Sequence, residues 1–468
     1  MAKNFDVVVI GAGPGGYVAA IRSAQLGLKT AVIEREFWGG VCLNVGCIPS
    51  KALIKASSYF KKAQDFFPEM GIEVKDPKIN HKKLQDYKQG VCDRMSGGVA
   101  QLLKGNKVEQ IMGEANFVSK NEIEVSSKSG KEKITAKNFI IATGSRPIEI
   151  PGFSFDEKGI MSSTGALAID KAVKSVAVIG GGYIGLEIGT YLAKIGTEVT
   201  VIEAADGLLK GVVDKDCVQV VSRKLKKLGV KVITKAFAKS QKKTSKGYEL
   251  TYEVDGKAST IEVEKILVTV GRKPNSDQLN LKGIGIELDK QGCIKVNPQM
   301  KTNIEGIYAI GDIAGQPMLA HKASHEGVLA AEVIAGQNRV YDAKTVPAVI
   351  FVDPEVASVG LTEEECKAQG IEVKVGKFPF GANGKAVSIG ETDGFVKIIA
   401  DKKDHIVKGV HICGPEASNL ISEAALAIEM GARLEDIALT IHPHPTLGET
   451  MMEAAEATLG HAIHIIQK

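Results

Sequence analysis

The order of hydrophobic and polar residues predicts a chain built largely from parallel strands and helices. The segment 5–34 begins with an apolar run, continues through a glycine-rich turn and a stretch of helical spacing, and ends in a second apolar run closed by Glu34. The segment 174–203 repeats this succession and ends in Glu203, at a constant offset of 169 residues (203 − 34). Because strands that alternate with helices are typical of βαβ units, we interpret the repeat as two domains of one kind.

Each copy is completed by a later apolar strand that ends on glycine, at 139–144 and at 266–271. The lysine-rich segment 239–246 is either a solvated hairpin edge or a loop. The stretches before the closing strands predict short β elements at 122–125, 132–135, 247–254 and 259–263.

Helical spacing at 50–66 and at 80–103 predicts two long helices after the first repeat. After residue 346, short strands mix with helices, which is typical of a separate α+β domain. The predicted fold class is therefore α/β, with two Rossmann-like dinucleotide-binding domains and a C-terminal α+β domain.

Both repeats contain the glycine pattern of a dinucleotide-binding turn, placed between a strand and a helix. The first glycine allows a tight turn, the second lets the backbone approach a pyrophosphate, and the third lets helix and strand pack closely. An acid follows the first glycine by 23 residues in both copies (34 − 11 and 203 − 180) and would accept hydrogen bonds from ribose hydroxyls. The glycines are Gly11, Gly13 and Gly16 in the first copy and Gly180, Gly182 and Gly185 in the second.

Two dinucleotide folds in one chain predict two cofactors, one held tightly and one exchangeable. A carboxylate at Glu203 would repel a 2′-phosphate, and no arginine follows it, so the second fold favours NAD over NADP. The strand at 306–312 ends in Gly-Asp, and Asp312 could hold ribityl and ribose hydroxyls of FAD, although this dipeptide is also common in turns.

Composition and charge argue against several classes of partner. The 59 basic and 55 acidic residues leave a net charge of +4 over 468 residues, which is too weak for nucleic acid or an anionic membrane surface. No apolar run reaches the ~20 residues of a membrane span. The chain enters a strand at once, which leaves no room for a signal peptide. We therefore expect a cytoplasmic protein, although a matrix enzyme without its transit peptide would have the same features.

Two of the seven cysteines, Cys42 and Cys47, lie close together, and the other five are solitary in the sequence and typical of small core residues. A structural zinc site needs four ligands, and no second pair has zinc spacing, so we expect no metal. One turn of helix starting near Cys42 would bring the two sulfurs together, and an exposed pair near a helix N-terminus is typical of a catalytic disulfide. Lys51 follows one turn later, and its cation could stabilise a reduced flavin or be an ordinary solvated lysine.

The run 442–449 near the C-terminus contains His442 and His444, each followed by proline, and ends in Glu449. A histidine paired with a carboxylate is the usual way to orient an imidazole base. A packed or surface role is the alternative for either histidine.

The segment around the cysteine pair, Gly-Gly-Val-Cys-Leu-Asn-Val-Gly-Cys-Ile-Pro-Ser-Lys at 39–51, resembles the disulfide motif of the pyridine nucleotide–disulfide oxidoreductase family. The family usually has Thr where this chain has Val41. The resemblance covers essentially the whole chain, and its further matches are Ala142-Thr143-Gly144-Ser145, Gly180–Glu187, Gly271–Asn275 and Met318–His321.

The resemblance implies a role for each catalytic residue. Cys42 would exchange with the substrate, and Cys47 would contact the flavin. His444 would be the base, oriented by Glu449, and His442 would be a bystander.

The resemblance also implies two sets of cofactor-binding residues, and it implies that Lys51 pairs with Glu187 at the nicotinamide site. The residues implied for FAD are Gly11, Gly13, Gly16, Glu34, Lys51, Ala115, Thr143, Gly144, Ser145, Asp312 and Ala320. The residues implied for NAD are Gly180, Gly182, Gly185, Glu187, Glu203 and Gly271.

The implied domains are an FAD-binding domain at 1–148 completed by 276–345, an NAD-binding domain at 149–275, a central domain at 276–345, and a dimerisation domain at 346–468. The implied assembly is an obligate homodimer in which His444 reaches the disulfide of the other subunit. The implied activity is FAD-dependent oxidation of protein-bound dihydrolipoyl groups by NAD⁺. The implied partners are lipoyl domains or acyltransferase subunits of 2-oxo acid dehydrogenase complexes.

Several alternatives are weighed against this activity. A glutathione reductase would favour NADPH and need arginines after the second glycine turn, and a mercuric or large thioredoxin reductase would carry a further cysteine pair, which the tail 461–468 lacks. A membrane-associated NADH:quinone oxidoreductase would lack the disulfide motif and show an anchor. A role as a flavoprotein scaffold alone is disfavoured by the intact set of catalytic residues.

Overall fold

The computed structural model describes residues 3–466, so the predicted domain limits at Met1 and Lys468 lie outside the described residues. The chain folds into two compact units. The first contains the described residues up to Leu53, Lys82–Ile148 and Gly271–Asp342, and the second contains Ile54–His81, Glu149–Val270 and the described residues from Ala343 onward.

The part of the chain before residue 149 supplies most of the sheet of the first unit. Its elements are β1 (Lys3–Ile10), α1 (Pro14–Gln25), β2 (Thr30–Glu34), α2 (Gly40–Asn44), α3 (Cys47–Asp65), α4 (His81–Gly105), β3 (Glu109–Met112), β4 (Glu114–Ser119), β5 (Glu122–Ser127), β6 (Gly130–Ile141) and β7 (Ser145–Pro147). Strands β3, β2, β1 and β6 are parallel neighbours in that order, and β5 and β4 extend the sheet in antiparallel fashion. Val7, Val8 and Val9 are fully buried, as expected for a central parallel strand covered on both faces.

The segment 149–270 folds in the same way. Its elements are β8 (Ile160–Met161), α5 (Ser163–Leu167), β9 (Ser175–Ile179), α6 (Tyr183–Lys194), β10 (Glu198–Ile202), α7 (Lys215–Lys227), β11 (Lys231–Ile233), β12 (Ala236–Thr244), β13 (Gly247–Val254), β14 (Lys257–Val263) and β15 (Lys265–Val268). The parallel order is β11–β10–β9–β15–β8, with a separate antiparallel sheet β12–β13–β14. Most of the lysine-rich segment lies on the edge strand β12, so the hairpin-edge interpretation is confirmed.

The segment 271–342 returns to the first unit with β16 (Arg272–Pro274), β17 (Ile307–Ala309) and α8 (Ala320–Ile334). Strand β17 pairs in parallel with β6, so the order β3–β2–β1–β6–β17 matches β11–β10–β9–β15–β8 and confirms the predicted repeat. One prediction was wrong in detail, because 132–135 and 139–141 belong to the single strand β6. This strand stays continuous because β1 pairs with it from Ile134 to Ile141.

The remaining residues form the predicted α+β domain. Its elements are β18 (Ala348–Ile350), β19 (Val356–Gly360), α9 (Glu363–Ala368), β20 (Val373–Pro379), α10 (Gly384–Ser388), β21 (Phe395–Asp401), β22 (Val407–Cys413), α11 (Ala417–Met430), α12 (Leu434–Ala438) and α13 (Glu449–Leu459). The strands form one antiparallel sheet in the order β18–β19–β22–β21–β20, and its core packs against α11 and α13. The predicted fold class is confirmed.

None of the helices between residues 3 and 466 combines the length and the apolar character needed to cross a membrane.

Candidate active site

The first glycine turn has the shape that a pyrophosphate needs. Gly11 has φ +100°, a conformation that favours glycine. A Cβ on Gly16 would overlap the carbonyl oxygen of Gly11, so only glycine lets α1 approach β1 this closely. A Cβ on Gly13 would meet nothing within 4 Å, so the backbone there faces open space at the N-terminus of a 12-residue helix. These residues therefore fit the phosphates of a dinucleotide.

The second glycine turn has the same construction. Gly180 has φ +105°, and a Cβ there would lie 2.6 Å from the carbonyl oxygen of Thr269. Gly185 is equally crowded, whereas Gly182 faces open space where the 12-residue helix α6 begins. The second turn also fits a dinucleotide.

The acids that end β2 and β10 close these turns. One oxygen of Glu34 accepts a hydrogen bond from the N–H of Ala12 at 2.7 Å, and the other accepts from Arg35 at 2.9 Å. Glu203 likewise accepts from the N–H of Gly181, 169 residues after Ala12. The sequence predicted that these acids bind ribose and did not predict their hydrogen bonds to the glycine turns. The positions of Ala12 and Gly181, which differ by the 169-residue offset of the repeat, could have indicated these bonds.

The structure brings together the residues predicted to hold the flavin after β6. The hydroxyl of Ser145 lies 2.5 Å from Oδ2 of Asp312, although the two residues are 167 positions apart. The side-chain amide of Asn275 donates to the carbonyl oxygen of Thr143 at 2.8 Å, and its backbone N–H donates to Gly144 at 3.0 Å. Sequence reasoning did not assign Asn275 to this site.

Three further residues implied by the resemblance lie in different settings. Ala115 is a buried core residue on β4, and Ala320 is the first residue of α8. Gly271 is exposed, with φ +130°, directly before β16. Their roles in cofactor binding remain predictions.

The cysteine pair lies on two helices rather than on one continuous turn. Cys42 is in α2 and Cys47 begins α3, because Val45 leaves the helical conformation with φ −137°. The side chains are nevertheless in contact through a hydrogen bond. Cys42 is half-buried and Cys47 is exposed, so the two sulfurs have different access to solvent.

The electrostatics of the pair distinguish its members. The hydrogen bond from Cys47, burial, and the negative charge that Cys47 can carry all raise the pKa of Cys42, and the cation of Lys51 opposes them only in part. Cys47 begins a 19-residue helix, whose N-terminus favours an anion.

The loop between the two cysteines is anchored to α4. The side-chain amide of Asn44 donates to the carbonyl oxygen of Gly40 at 2.8 Å, and its oxygen accepts from the hydroxyl of Ser96 at 2.7 Å. The thiol of Cys92 lies 3.7 Å from the carbonyl oxygen of Asn44. The motif is thus held by a helix about fifty residues away, and no sequence signal pointed to Ser96.

The C-terminal histidines differ in accessibility. His444 is 77% exposed, and its Nδ1 lies 2.8 Å from Oε1 of Glu449. The other oxygen of Glu449 accepts from the N–H of Thr446 at 2.8 Å. Burial raises the pKa of Glu449, but Thr446 and His444 outweigh it and hold the pKa below its usual value. With Nδ1–H directed to this carboxylate, Nε2 of His444 keeps a lone pair for a proton.

His442 is a nearly buried residue whose two ring nitrogens both have hydrogen-bond partners. Its side chain is only 7% exposed, Nδ1 lies 2.8 Å from the carbonyl oxygen of Thr440, and Nε2 lies 2.9 Å from Glu423. Both ring nitrogens are therefore occupied within the domain.

The predicted partners Lys51 and Glu187 belong to different compact units. Lys51 lies in the first turns of α3, half-buried. Glu187 is buried in α6, and its Oε1 accepts from the N–H of Phe351 at 2.8 Å. Their pairing remains a prediction.

The other five cysteines are all buried, as predicted for core residues, and two of them form a second pair. Cys217 in α7 and Cys413 at the end of β22 are fully buried and share a hydrogen bond, which together with burial raises the pKa of Cys217. Nearby lie three acids, Asp214, Asp216 and Glu363, whose oxygens are close enough together to bind a metal. They surround the buried side chain of Lys397 instead, whose Nζ lies 2.8 Å from Asp214. Spacing in sequence could not reveal either contact, because 196 residues separate the two cysteines.

The whole chain is similar to known disulfide oxidoreductases. A family model described as pyridine nucleotide-disulphide oxidoreductase matches residues 5–327, and one described as its dimerisation domain matches residues 346–455. The dihydrolipoyl dehydrogenase of Geobacillus stearothermophilus is 51% identical over 467 residues, which cover 100% of this chain and 99% of the relative. That of Bacillus subtilis (strain 168) is 50% identical over 463 residues, which cover 99% and 98%.

Solved structures give the same picture. The crystal structure of LpdA from Mycobacterium tuberculosis matches with a TM-score of 0.89 and 26% identity, covering 97% of this chain and 99% of that one. The HOCl-induced flavoprotein disulfide reductase RclA from Escherichia coli matches in fold with a TM-score of 0.86 at 24% identity, covering 96% and 99%. The repeated dinucleotide folds, the cysteine pair and these matches together establish that the chain belongs to the pyridine nucleotide-disulphide oxidoreductase family.

Proposed function

We propose that the protein oxidises protein-bound dihydrolipoyl groups to lipoyl disulfide and reduces NAD⁺ to NADH, which is the dihydrolipoyl dehydrogenase reaction. The observation that carries the proposal is the contact between Cys42 and Cys47 at the start of α3, in the same unit as the first glycine turn. Relatives about 50% identical over their full length carry the name dihydrolipoyl dehydrogenase.

In the proposed thiol chemistry, the roles of the two sulfurs and of the base are those that the family resemblance implies. Nε2 of His444 takes the proton of one substrate thiol, and the resulting thiolate attacks Sγ of Cys42. The bond between Cys42 and Cys47 breaks, and Cys47 leaves as a thiolate. The second substrate thiol then attacks the substrate sulfur of the mixed disulfide and closes the lipoyl disulfide. The proton that this thiol loses passes to Cys42, which leaves as a thiol. Two electrons pass from the substrate to the cysteine pair.

FAD, when bound, supplies the two-electron acceptor that passes a hydride to NAD⁺. We assign it to Gly11, Gly13, Gly16 and Glu34 together with Lys51, Thr143, Gly144, Ser145 and Asp312. Lys51, four residues after Cys47, places a cation near the pair, and its charge lowers the pKa of Cys42. Glu187 is proposed as the partner of Lys51.

NAD is assigned to the second glycine turn, at Gly180, Gly182, Gly185 and Glu203. The carboxylate of Glu203 closes the turn through Gly181 and Ala205. A 2′-phosphate placed there would meet this negative charge, which supports NAD over NADP.

A homodimer is proposed because the C-terminal domain exposes large apolar side chains beside the base. Leu439 and Ile441 are 80% and 94% exposed, and Met430 at the end of α11 is 76% exposed. The family model over 346–455 is a dimerisation domain. In this dimer, His444 of one subunit serves the disulfide of the other, which fits its exposure on the free chain.

The proposed biological partners are lipoyl domains or acyltransferase subunits of 2-oxo acid dehydrogenase complexes, and the proposed location is the cytoplasm. The proposed domain limits are those given by the sequence, with the FAD-binding part at 1–148 and 276–345 and the NAD-binding part at 149–275.

The direct test is turnover of the purified holoenzyme. We expect NADH formation from dihydrolipoamide and NAD⁺, and much slower reactions of NADH with glutathione disulfide or a quinone. Faster turnover with either competitor would reject the proposal.

The roles of the two sulfurs are tested by visible spectroscopy. A thiolate beside bound flavin gives a long-wavelength absorbance band on partial reduction. Cys47→Ser is expected to abolish the band, and Cys42→Ser is expected to make it permanent. A band that survives Cys47→Ser would overturn the assignment.

A further inference from the structure

We infer that Arg272 is a positioning residue for the flavin site, because it fixes the hydroxyl of Ser145, which in turn fixes the carboxylate of Asp312. The inference rests on the proposed binding of FAD in the first unit and deepens it. Arg272 was matched to the family motif, but neither sequence reasoning nor the comparisons gave it a role in this site.

Arg272 lies on a two-stranded ribbon at the point where the chain leaves and re-enters the first unit. In this ribbon β7 pairs with β16 in antiparallel fashion, with Ser145 opposite Pro274 and Pro147 opposite Arg272. The N–H of Ile148 donates to the carbonyl oxygen of Gly271 at 3.1 Å. The ribbon therefore joins the two points at which the segment 149–270 begins and ends.

The hydrogen bonds that join Arg272, Ser145 and Asp312 can each be donated in only one direction. Nε of Arg272 donates to Oγ of Ser145 at 2.7 Å, and its terminal nitrogen donates to the carbonyl oxygen of Ser145 at 2.6 Å. A guanidinium can only donate, and a hydroxyl has a single hydrogen. Because Oγ of Ser145 accepts from Arg272, its own hydrogen is directed to Oδ2 of Asp312, 2.5 Å away.

Burial makes this relay effective. Ser145 is only 4% exposed, so water does not compete strongly for its hydroxyl. The cationic donor and the anionic acceptor lie at opposite ends of the relay, and hydrogen bonds to charged groups are the stronger kind. The position of Ser145 is thereby fixed at both its hydroxyl and its carbonyl oxygen.

The backbone at Asp312 is held separately from its side chain. Glu326 in α8 accepts a hydrogen bond from the N–H of Gly311 at 2.7 Å, and Lys322 pairs with Glu326 at 2.7 Å. Loss of Arg272 should therefore leave the backbone of the turn in place and disturb the orientation of the Asp312 carboxylate. We expect a weaker hold on the ribityl hydroxyls of FAD rather than a collapsed turn.

Lys273 provides a matched control on the same ribbon. Its Nζ lies 3.5 Å from Oδ2 of Asp277. Lys273→Met thus removes a cation from β16 without removing the relay to Asp312.

The experiment measures FAD release from the holoenzyme, as flavin absorbance in the filtrate after timed ultrafiltration, with the thermal midpoint recorded for each variant. Arg272→Met and Ser145→Ala are each expected to speed release about tenfold, the size expected for one charge-assisted hydrogen bond. The double variant is expected to match the single variants, because both act through one relay. Arg272→Lys, which keeps the charge and can reach one acceptor, is expected to give an intermediate rate.

Release from Lys273→Met is expected to stay within about twofold of the wild type, as for a change outside the relay. Equal release from Lys273→Met and Arg272→Met, or effects of Arg272→Met and Ser145→Ala that multiply in the double variant, would overturn the inference while leaving the proposed function intact. If Arg272→Met does not fold, Arg272→Lys and Ser145→Ala carry the same comparison. A wild-type protein that binds no FAD would instead contradict the proposed function.

Discussion

The Cys42–Cys47 pair and the Cys217–Cys413 pair each bring two sulfurs into hydrogen-bonding contact, but their surroundings are opposite. Cys47 is exposed and Cys42 is half-buried, with the cation of Lys51 nearby. Cys217 and Cys413 are both 0% exposed. The sequence suggests only the first pair, because its members are five residues apart.

The second pair lies in the second unit with Lys397 and the acids Asp214, Asp216 and Glu363, and we call this cluster the seam. Lys397 on β21 is fully buried and binds Asp214 at 2.8 Å, Asp216 at 2.9 Å and also Glu363. Burial lowers the pKa of Lys397, but these three carboxylates outweigh it and raise the pKa above its usual value. The charges here are paired with each other, and the two thiols are in contact with each other.

Contact between two sulfurs does not by itself make a redox site. Exposure lets a substrate thiol reach one sulfur, and a neighbouring cation and a helix N-terminus stabilise the thiolate that must leave. The first pair has all three features. The second also has a cation nearby, Lys397, and its Cys217 lies in the first turn of α7, but the pair is fully buried, so we expect it to act as packing.

The largest expected difference between the pairs is in catalysis. Cys42→Ser or Cys47→Ser removes an exchanging sulfur and should lower NAD⁺-dependent oxidation of dihydrolipoamide by at least about a thousandfold. Cys217→Ala and Cys413→Ala should keep activity within about threefold, since changes outside the chemistry are small in effect. Steady-state kinetics of the four variants decide the comparison, and a thousandfold loss on Cys413→Ala would refute it.

The next largest difference is in stability, where the second region should dominate. Lys397→Met removes the cation that Asp214, Asp216 and Glu363 share, and among the described residues only Asp216 keeps a second one, Lys377. Removing one partner of a buried ion pair costs about 3–5 kcal/mol. Lys402→Met, which breaks an exposed pair with Glu372 on the same domain, should cost under about 1 kcal/mol. Denaturant unfolding measures both, and equal losses would show that the seam contributes no more than a surface pair.

A smaller difference is expected in thiol reactivity of the reduced protein. The exposed pair should react with iodoacetamide about a hundredfold faster than the buried pair, since buried thiols react only after local opening. Mass spectrometry of quenched peptides gives the rate at each cysteine. Comparable rates at Cys47 and Cys413 would mean that the seam is open in solution.

The smallest expected effect is on acid stability. Burial raises the pKa of Asp216, but hydrogen bonds from Lys377 and Lys397 outweigh it and lower the pKa to about 2. The seam therefore contributes stability above the usual value of 3.8, and loses it as the pH falls through about 2. Asp216→Asn should remove this component and shift the acid-unfolding midpoint upward by about half a pH unit. A midpoint that does not move would show that Asp216 is not coupled to folding.

Much of the fold and site could be predicted because local sequence specifies them. The 169-residue repeat, the glycine turns and the pairing of His444 with Glu449 each lie within one short segment or one regular offset. The contacts of Asn44 with Ser96, of Ser145 with Asp312 and of Cys217 with Cys413 could not be predicted, because each joins residues brought together only by tertiary packing. The break between α2 and α3 was missed although Gly46 lies in it, because a single glycine in a stretch of helical spacing is often tolerated.

The most direct test of the central claim locates the thiols that appear on reduction. Oxidised holoenzyme and holoenzyme reduced anaerobically by dihydrolipoamide are alkylated with N-ethylmaleimide and compared by peptide mass spectrometry. We predict new label at Cys42 and Cys47 alone, with Cys217 and Cys413 unchanged. Label gained at any other cysteine while Cys42 and Cys47 stay unchanged would contradict the assignment of the redox disulfide.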